Sequence, residues 1–256
     1  MLPWMKKPRL DEAPAAPALP SVPPGGRLYA VGDIHGRADL LLQLMEMIRA
    51  DMQQGEPGHR VVVFLGDYID RGPDTRKVLD ILSSNPFPDA ENVFLIGNHE
   101  AVLLQFLRDP AIGKEWVRFG GAQTLAAYGA ALPAGTPSPE QLTAARDILQ
   151  TNLSPQHLSF IRSLKLTYRV GDYLFVHAGI RPGRALDQQA SHDLLWIRKP
   201  FLESELDHGH VVVHGHTPSE RIESLPNRIG IDTGAYRSDR LSAVVLEADL
   251  RRFLAT

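Results

Sequence analysis

Between Ala30 and Glu100 the chain carries three short motifs, Gly32-Asp-Ile-His-Gly36, Gly66-Asp-Tyr-Ile-Asp-Arg-Gly72 and Gly97-Asn-His-Glu100. Each motif follows a short apolar run, which is typical of a buried strand. Glycines at the motif ends permit the sharp turns that a chain makes when it leaves a strand. Because open α/β sheets place their sites at the carboxyl ends of their strands, we expect the polar motif side chains to converge there.

Strand and helix patterns alternate through this part of the chain. Strands are predicted at 28–31, 61–65 and 93–96, and helices at 38–52, 75–83 and 101–108. The last third returns to short strands, predicted at 166–170, 173–176, 211–213, 228–231 and 241–246. This order predicts a layered α/β fold with a second, mixed sheet.

Two segments depart from the alternation. Residues 1–26 contain seven prolines and end in two glycines, so we predict a disordered tail before a folded domain of residues 27–256. The tail is open between an extension without function and a docking segment. Residues 110–164 hold short helical patterns broken by glycine and proline, with longer helices predicted at 139–149 and 155–163. We interpret this segment as a helical cap inserted over one side of the site.

Composition excludes several kinds of site and partner. The 256-residue chain has no cysteine, which excludes disulfides, thiolate zinc sites and a cysteine nucleophile. A formal net charge of −3 gives no electrostatic case for nucleic acid or an anionic membrane. No stretch approaches the roughly 20 apolar residues of a membrane span. The first ten residues lack a secretory pattern, so a cytoplasmic location is the expectation.

The motifs supply side chains that bind metal ions. Those in the first three motifs are Asp33, His35, Asp67, Asp70, Asn98 and His99. Two later motifs, His177-Ala-Gly179 and His214-Gly-His216-Thr-Pro218, also follow predicted strands. A single buried histidine usually has a structural role, but this repeated placement beside aspartates and an asparagine indicates a metal centre. Carboxylate, imidazole and amide ligands suit Mn, Fe, Zn or Mg.

The motif set, from Gly32 to Thr217, resembles that of the phosphoprotein phosphatase family within the calcineurin-like metallophosphoesterases. Its bacterial and phage serine/threonine protein phosphatases are the most similar members. The resemblance implies a layered sandwich of two mixed β-sheets flanked by helices. It also implies two divalent metal ions as cofactors, with manganese expected and iron, zinc, nickel or cobalt as alternatives.

The resemblance also implies a role for each ligand. Asp33 and His35 would bind the first metal, and Asp67 would bridge both. His214 would be a neighbour of the site at most. The second metal would be completed by Asn98, His177 and His216.

Two neighbouring divalent cations that share a ligand bind a phosphoryl group between them. They also lower the pKa of a shared bridging water, which gives hydroxide for in-line attack. His99 is the expected general acid, and Asp70 is expected to orient it and keep it charged, with a loop cap as the alternative. Arg71 and Arg198 are expected to bind phosphate oxygens. The alternative for Arg198 is an exposed position on an amphipathic helix. Two roles are open for Tyr236, a contact with the substrate and a packing role.

Three functions remain open. The leading hypothesis is hydrolysis of phosphomonoesters, on phosphoserine or phosphothreonine of proteins, with small aryl phosphates as further substrates. The alternative is symmetrical hydrolysis of diadenosine tetraphosphate, because residues 119–129 resemble a cap segment of those enzymes and the cap carries basic and aromatic residues. A non-catalytic scaffold is disfavoured because every ligand position holds the expected residue type. The oligomeric state stays open.

Overall fold

The computed structural model describes residues 19–54 and 58–256. Most of the predicted tail, residues 1–18, lies outside the described residues. The end of the predicted tail is packed onto the domain: Val22 is buried, and its backbone N–H donates to the carbonyl of Ala248 at 3.0 Å. The first strand then starts at Gly26. Val22 and Gly26, both placed in the predicted tail, therefore belong to the folded domain.

The described residues form ten β-strands and ten α-helices. The strands are β1 (Gly26–Val31), β2 (His59–Phe64), β3 (Glu91–Phe94), β4 (Thr167–Val170), β5 (Tyr173–Val176), β6 (Val211–His214), β7 (Glu223–Ser224), β8 (Arg228–Gly230), β9 (Ser242–Glu247) and β10 (Leu250–Ala255). The helices are α1 (Ala38–Met52), α2 (Thr75–Ser83), α3 (Asn98–Phe106), α4 (Gly113–Trp116), α5 (Ala122–Ala127), α6 (Pro139–Asn152), α7 (Pro155–Ser163), α8 (Ser191–Trp196), α9 (Lys199–Leu202) and α10 (Ala235–Ser238). None of these helices has the length and apolar character needed to cross a membrane.

The strands form two mixed five-stranded sheets, which confirms the predicted sandwich. The first sheet has the order β10-β9-β1-β2-β3, and the second has the order β4-β5-β6-β8-β7. In the first sheet β1, β2 and β3 are parallel, and in the second β5, β6 and β8 are parallel. Antiparallel pairing adds the remaining strands at the sides. Each sheet therefore presents the carboxyl ends of three neighbouring parallel strands at one edge.

Three apolar clusters hold the layers together. Between the sheets, alternate residues of β1 such as Leu28 pack with Phe175 of the second sheet. On the outer face of the first sheet, Tyr29 and its neighbours pack against α1, α2 and the cap helices. On the outer face of the second sheet, Leu174 packs with Phe201 of α9. Because both faces of each sheet are covered, their central strands are continuous apolar runs.

Helix α3 begins three residues earlier than predicted. The sequence pattern predicts a helix at 101–108, whereas the helix starts at Asn98 and ends at Phe106. Gly97 is its N-cap residue, and the Glu100 carboxylate accepts a hydrogen bond from the Gly97 N–H at 2.9 Å. The third motif therefore forms the first turn of a helix, which fixes the directions of the Asn98 and His99 side chains.

All the regular elements of the predicted cap segment are helices. Helices α4 and α5 are joined by one π-helical turn, Val117–Gly121. Helices α6 and α7 match the predicted pair, although α6 continues to Asn152. Ser138 and Ser154 cap the two helices by accepting from backbone N–H groups in their first turns.

Candidate metal centre and phosphate site

Five loops bring the motif side chains together at the carboxyl ends of strands from both sheets. The loops after β1, β2 and β3 come from the first sheet, and those after β5 and β6 come from the second. The expected ligands are each at most 6% exposed: Asp33, His35, Asp67, Asn98, His177 and His216. Buried polar side chains need partners, so this convergence calls for a charged or hydrogen-bonding group between them.

Asp67 belongs to two clusters of ligand atoms. One cluster is formed with His35 and His99 and the other with His177 and His216, and the atoms of each lie within 4.8 Å of one another. Asp67 Oδ2 is 3.4 Å from His35 Nε2, whereas Oδ1 is 3.4 Å from His177 Nε2. The two carboxylate oxygens thus face different clusters, as a bridging ligand requires.

In His35 and His177, the ring nitrogen that faces the cluster carries a lone pair that is not used in a hydrogen bond from a donor. His35 Nδ1–H donates to the carbonyl of Ile69 at 2.8 Å, which leaves its Nε2 buried without a hydrogen-bond partner. His177 Nδ1–H donates to the carbonyl of Leu65 at 2.9 Å, so its Nε2 faces Asn98 Oδ1, another acceptor, at 2.9 Å. Burial lowers the pKa of His35 to about 3 and also lowers that of His177. Neutral, pre-oriented imidazoles of this kind are metal ligands.

Asp33 completes a group of three buried carboxylates. Its oxygens accept from the backbone N–H of His216, at 3.0 Å for the shorter contact. Burial raises the pKa of Asp33 well above its ordinary value, and the neighbouring Asp232 and Asp67 raise it further. Burial likewise raises the pKa of Asp232 to about 6, and its Oδ2 has no partner. Crowded, desolvated carboxylates are stabilised by cations, so the residues present fit two divalent metal ions.

His99 and Asp70 form a hydrogen-bonded pair beside the clusters. His99 Nδ1 donates to Asp70 Oδ2 at 2.6 Å, and His99 Nε2 points toward Asp67 Oδ2 from 3.7 Å. Burial lowers the pKa of His99, but the Asp67 and Asp70 carboxylates raise it more, so the net shift is upward. The three donors to the Asp70 carboxylate in the described part of the chain are side chains, not N–H groups of its own loop, unlike a loop cap.

Two arginines stand at the mouth of the site. Arg71 Nη2 donates to His99 Nε2 at 3.2 Å, and its guanidinium lies 4.6 Å from the centre of the Tyr236 ring. Arg198 Nε donates to His216 Nε2 at 3.3 Å. Arg198 is exposed, as in the alternative, but it lies between α8 and α9 and not within a helix. Tyr236 contacts Arg71, so it lies at the site.

His214 lies outside both clusters. Its ring is buried, its Nδ1 contacts the carbonyl of Gly215 at 3.1 Å, and it packs edge-on against Phe201. Burial lowers its pKa to about 4. His214 therefore contacts Gly215 and Phe201 and joins neither cluster of ligand atoms.

Four residues at the site were not predicted: Glu100, Trp116, Thr124 and Asp232. Glu100 accepts from the backbone N–H groups of Asp67 and Tyr68, at 2.9 and 2.8 Å, and from Gly97. It therefore ties the second motif loop to the third. Its position three residues after Gly97 is a helix-capping pattern that was visible in the sequence.

The backbone at the site is held in a sparsely populated conformation. Five of the eight non-glycine residues with positive φ in the described ranges belong to the site, namely His35 (45°), Asp67 (52°), Asp70 (71°), Arg71 (66°) and His216 (65°). Left-handed backbone costs a non-glycine residue roughly 1–2 kcal/mol. Such strain persists where the surroundings over-determine the conformation, and it concentrates at functional sites.

Comparison with known proteins agrees with this geometry. A family model described as calcineurin-like phosphoesterase matches residues 26–250. Serine/threonine-protein phosphatase 2 of Escherichia coli (strain K12) is 28% identical over 224 residues, covering 84% of this chain and 90% of that protein. The bis(5'-nucleosyl)-tetraphosphatase PrpE (asymmetrical) of Bacillus thuringiensis (strain Al Hakam) is 27% identical over 236 residues, covering 84% of this chain and 88% of that protein.

A solved structure of a candidate diadenosine tetraphosphatase shares the fold. It aligns with a TM-score of 0.60 at 20% identity, over 93% of this chain and 98% of that chain. The family match spans nine of the ten strands, all except β10, and all five ligand-bearing loops. The chain therefore belongs to the calcineurin-like phosphoesterase family and is a phosphoester hydrolase of the dimetal type.

Proposed function

We propose that the chain hydrolyses phosphomonoesters and that phosphoserine or phosphothreonine of proteins is its substrate. One observation carries the proposal: a histidine fixed by a buried carboxylate points its other nitrogen at the shared metal-ligand carboxylate. The distances are 2.6 Å from His99 Nδ1 to Asp70 and 3.7 Å from His99 Nε2 to Asp67. This geometry suits a general acid for a leaving alkoxide, which phosphomonoesters of alcohols require.

The chain's own residues divide the work. Two divalent cations, with manganese as the expected metal, would activate a water molecule and neutralise charge on the phosphoryl group. Their ligands would be Asp33, His35, Asp67, Asn98, His177 and His216. Arg71 and Arg198 would bind the phosphoryl oxygens as charge builds on them.

His99 would then donate its Nε2 proton to the leaving oxygen. Asp70 holds the ring in the required orientation and favours the imidazolium form. Arg71 now donates to His99 Nε2, a contact that only the neutral ring accepts. A proton on Nε2 therefore ends this contact and frees the guanidinium of Arg71 to bind the phosphate. Protonation of the general acid and binding of phosphate by Arg71 are thus coupled.

A second candidate is symmetrical hydrolysis of diadenosine tetraphosphate. Two large aromatic side chains near the site are exposed: Phe119 at 61% and Trp196 at 40%. The Phe119 carbonyl accepts from Arg71 Nε at 3.4 Å, and the Trp196 ring lies 6.1 Å from that of His216. Exposed aromatic faces beside a phosphate site suit the stacking of nucleobases. The similarity to the bis(5'-nucleosyl)-tetraphosphatase PrpE supports a dinucleoside tetraphosphate as substrate, although that relative is named as asymmetrical and so does not support the symmetrical position of cleavage.

Parallel assays separate the two candidates. The purified protein is assayed on a phosphoserine peptide and on diadenosine tetraphosphate with Mn²⁺, Fe²⁺, Zn²⁺, Ni²⁺, Co²⁺ or Mg²⁺, and its bound metal is measured. We expect two metals per chain and a higher kcat/KM on the phosphopeptide. A clear excess on the dinucleotide would overturn the proposal, and release of two ADP molecules would identify symmetrical cleavage. A chain without stoichiometric metal would instead be a scaffold.

A further inference from the structure

We propose that Trp116 and Thr124 of the cap are positioning residues for the general acid. They donate hydrogen bonds to Asp70 and so fix the carboxylate that orients His99. The inference rests on the proposed role of His99 as the acid. It assigns the cap a part in the chemical step, in addition to any part in substrate choice.

The Asp70 carboxylate receives three short hydrogen bonds, and two come from the cap. Oδ2 accepts from His99 Nδ1 and from Trp116 Nε1, each at 2.6 Å. Oδ1 accepts from Thr124 Oγ1 at 2.5 Å. An indole N–H can only donate, so Trp116 is the donor and Asp70 the acceptor in this contact. A hydroxyl has one proton, so Thr124 donates to the carboxylate and accepts from the backbone N–H of Asp70 at 3.0 Å.

Asp70 needs this support. Its side chain is fully buried, and its backbone lies in the left-handed region with φ of 71°. A buried ionised carboxylate with too few donors would be strongly disfavoured. In the described part of the chain, removal of both cap donors leaves His99 as its remaining side-chain donor. The cap donors therefore hold the Asp70 carboxylate in place, and His99 is oriented as a result.

The sequence of the cap makes room for this arrangement. Gly121 lies against the indole: a Cβ atom there would be 2.5 Å from Trp116 Cδ2. Gly120 has φ of 114°, and a Cβ atom there would be 2.5 Å from Arg71 Cγ. The Gly120 carbonyl accepts from the Arg71 N–H at 3.1 Å. One turn of the cap therefore seats both the indole that holds Asp70 and the backbone of the phosphate-binding arginine.

The opposing explanation is that Trp116 only fills space. Its ring is buried and packs 4.9 Å from that of Phe106, as an ordinary core tryptophan would. Trp116→Phe distinguishes the two explanations because it keeps an aromatic ring and removes the donor. Thr124→Val does the same for the hydroxyl. Tyr128→Phe is the matched control, since it removes a buried cap hydrogen bond, to His157 at 2.7 Å, away from Asp70.

Kinetics on a series of aryl phosphates give the first test. Trp116→Phe removes a hydrogen bond to the carboxylate that orients His99, so we expect it to lower kcat about tenfold or more. KM and the content of two metals should stay unchanged, and the loss should grow as the leaving phenol becomes less acidic. Trp116→Phe should have no further effect in the Asp70→Asn background. Loss of kcat equal to that of Tyr128→Phe, or independent of the phenol, would overturn the inference.

Nuclear magnetic resonance gives a second test that needs no turnover. The chain has three tryptophans, so the indole N–H signals are few. We expect Asp70→Asn to shift the Trp116 indole signal alone, and Trp116→Phe to shift the His99 Nδ1–H signal, assigned by its loss in His99→Asn. Unchanged signals would overturn the inference. A protein without activity on any phosphoester would contradict the proposed function, while these signals would still decide the role of Trp116.

Discussion

Replacement of His99 by asparagine separates a general acid from a metal ligand. The asparagine amide nitrogen can take the place of His99 Nδ1, which donates to Asp70 at 2.6 Å. The variant therefore keeps the hydrogen bond to Asp70 and loses the Nε2 atom, which carries the proton to be donated and also contacts Arg71. His99 Nε2 also faces Asp67 Oδ2 from 3.7 Å, in the first ligand cluster. A metal role is therefore a real alternative that the variant can test.

The expected size of the effect follows from the missing proton. General acid catalysis contributes roughly 10²–10⁴-fold to rate, or about 3–5 kcal/mol of the barrier. An alkoxide leaving group needs the full contribution, whereas 4-nitrophenolate leaves with little assistance. We therefore expect His99→Asn to lose about 10²–10⁴-fold in kcat on a phosphoserine peptide, and much less on 4-nitrophenyl phosphate.

The measurement combines turnover with metal analysis. Purified His99→Asn should retain two metals per chain, because the first metal keeps its expected ligands Asp33, His35 and Asp67. The cluster of Asp67, His177 and His216 is untouched. His59→Asn is the control: this histidine is 67% exposed and starts β2, at the opposite end from the site. An equal loss for all leaving groups would refute the role of His99 as acid, and loss of one metal would make it a ligand.

Three further variants test the bridging ligand, the packing around it and the stability of the fold. Asp67→Asn should lower metal occupancy as well as rate, since each of its oxygens faces one cluster, and two retained metals would contradict bridging. Gly97→Ala should weaken metal binding, measured by titration, because its Cβ would lie 2.1 Å from Asp67 Oδ1. Asp51→Asn should cost about 1–3 kcal/mol of unfolding free energy in urea, since Asp51 accepts from Arg252 at 2.7 Å and from the Tyr29 hydroxyl. Burial raises the pKa of Asp51, but these hydrogen bonds lower it more. The difference in unfolding free energy between the variant and wild type should therefore be full above about pH 4 and should shrink as the pH falls below that value.

The strand-end motifs were predictable because each rests on local pattern. An apolar run, a glycine and polar ligands lie within about ten residues of one another, and the alternation with helices fixes parallel pairing. The helices α1 and α2 match their predicted bounds for the same reason. By contrast, Val22 lies in a proline-rich segment whose composition indicates disorder. Its N–H donates to Ala248 near the other end of the sequence, and its side chain packs in a cluster that includes Tyr173. Composition carries no information on such long-range contacts.

The support of the site could not be predicted in the same way. Trp116 meets Asp70 across 46 residues of sequence, and Thr124 meets it across 54. Neither lies in a motif with metal ligands, and a tryptophan in a helical pattern is usually a core residue. The left-handed backbone of Asp67 and Asp70 also could not be predicted from the sequence, because aspartate adopts this conformation in only a minority of cases. A local pattern therefore identifies the groups that react but not the groups that hold them in place.

This division bears on where substrate choice can reside. If the turn from Trp116 to Thr124 holds Asp70 and Arg71, its residues are constrained by catalysis and cannot vary freely with the substrate. The exposed Phe119 ring lies within this turn but makes none of these contacts with its side chain; its carbonyl does. Its side chain is thus free to differ between an enzyme that accepts an extended phosphopeptide and one that stacks a nucleobase. Replacement of Phe119 by alanine should therefore change KM for a dinucleotide more than kcat, whereas Trp116→Phe should do the reverse on every substrate.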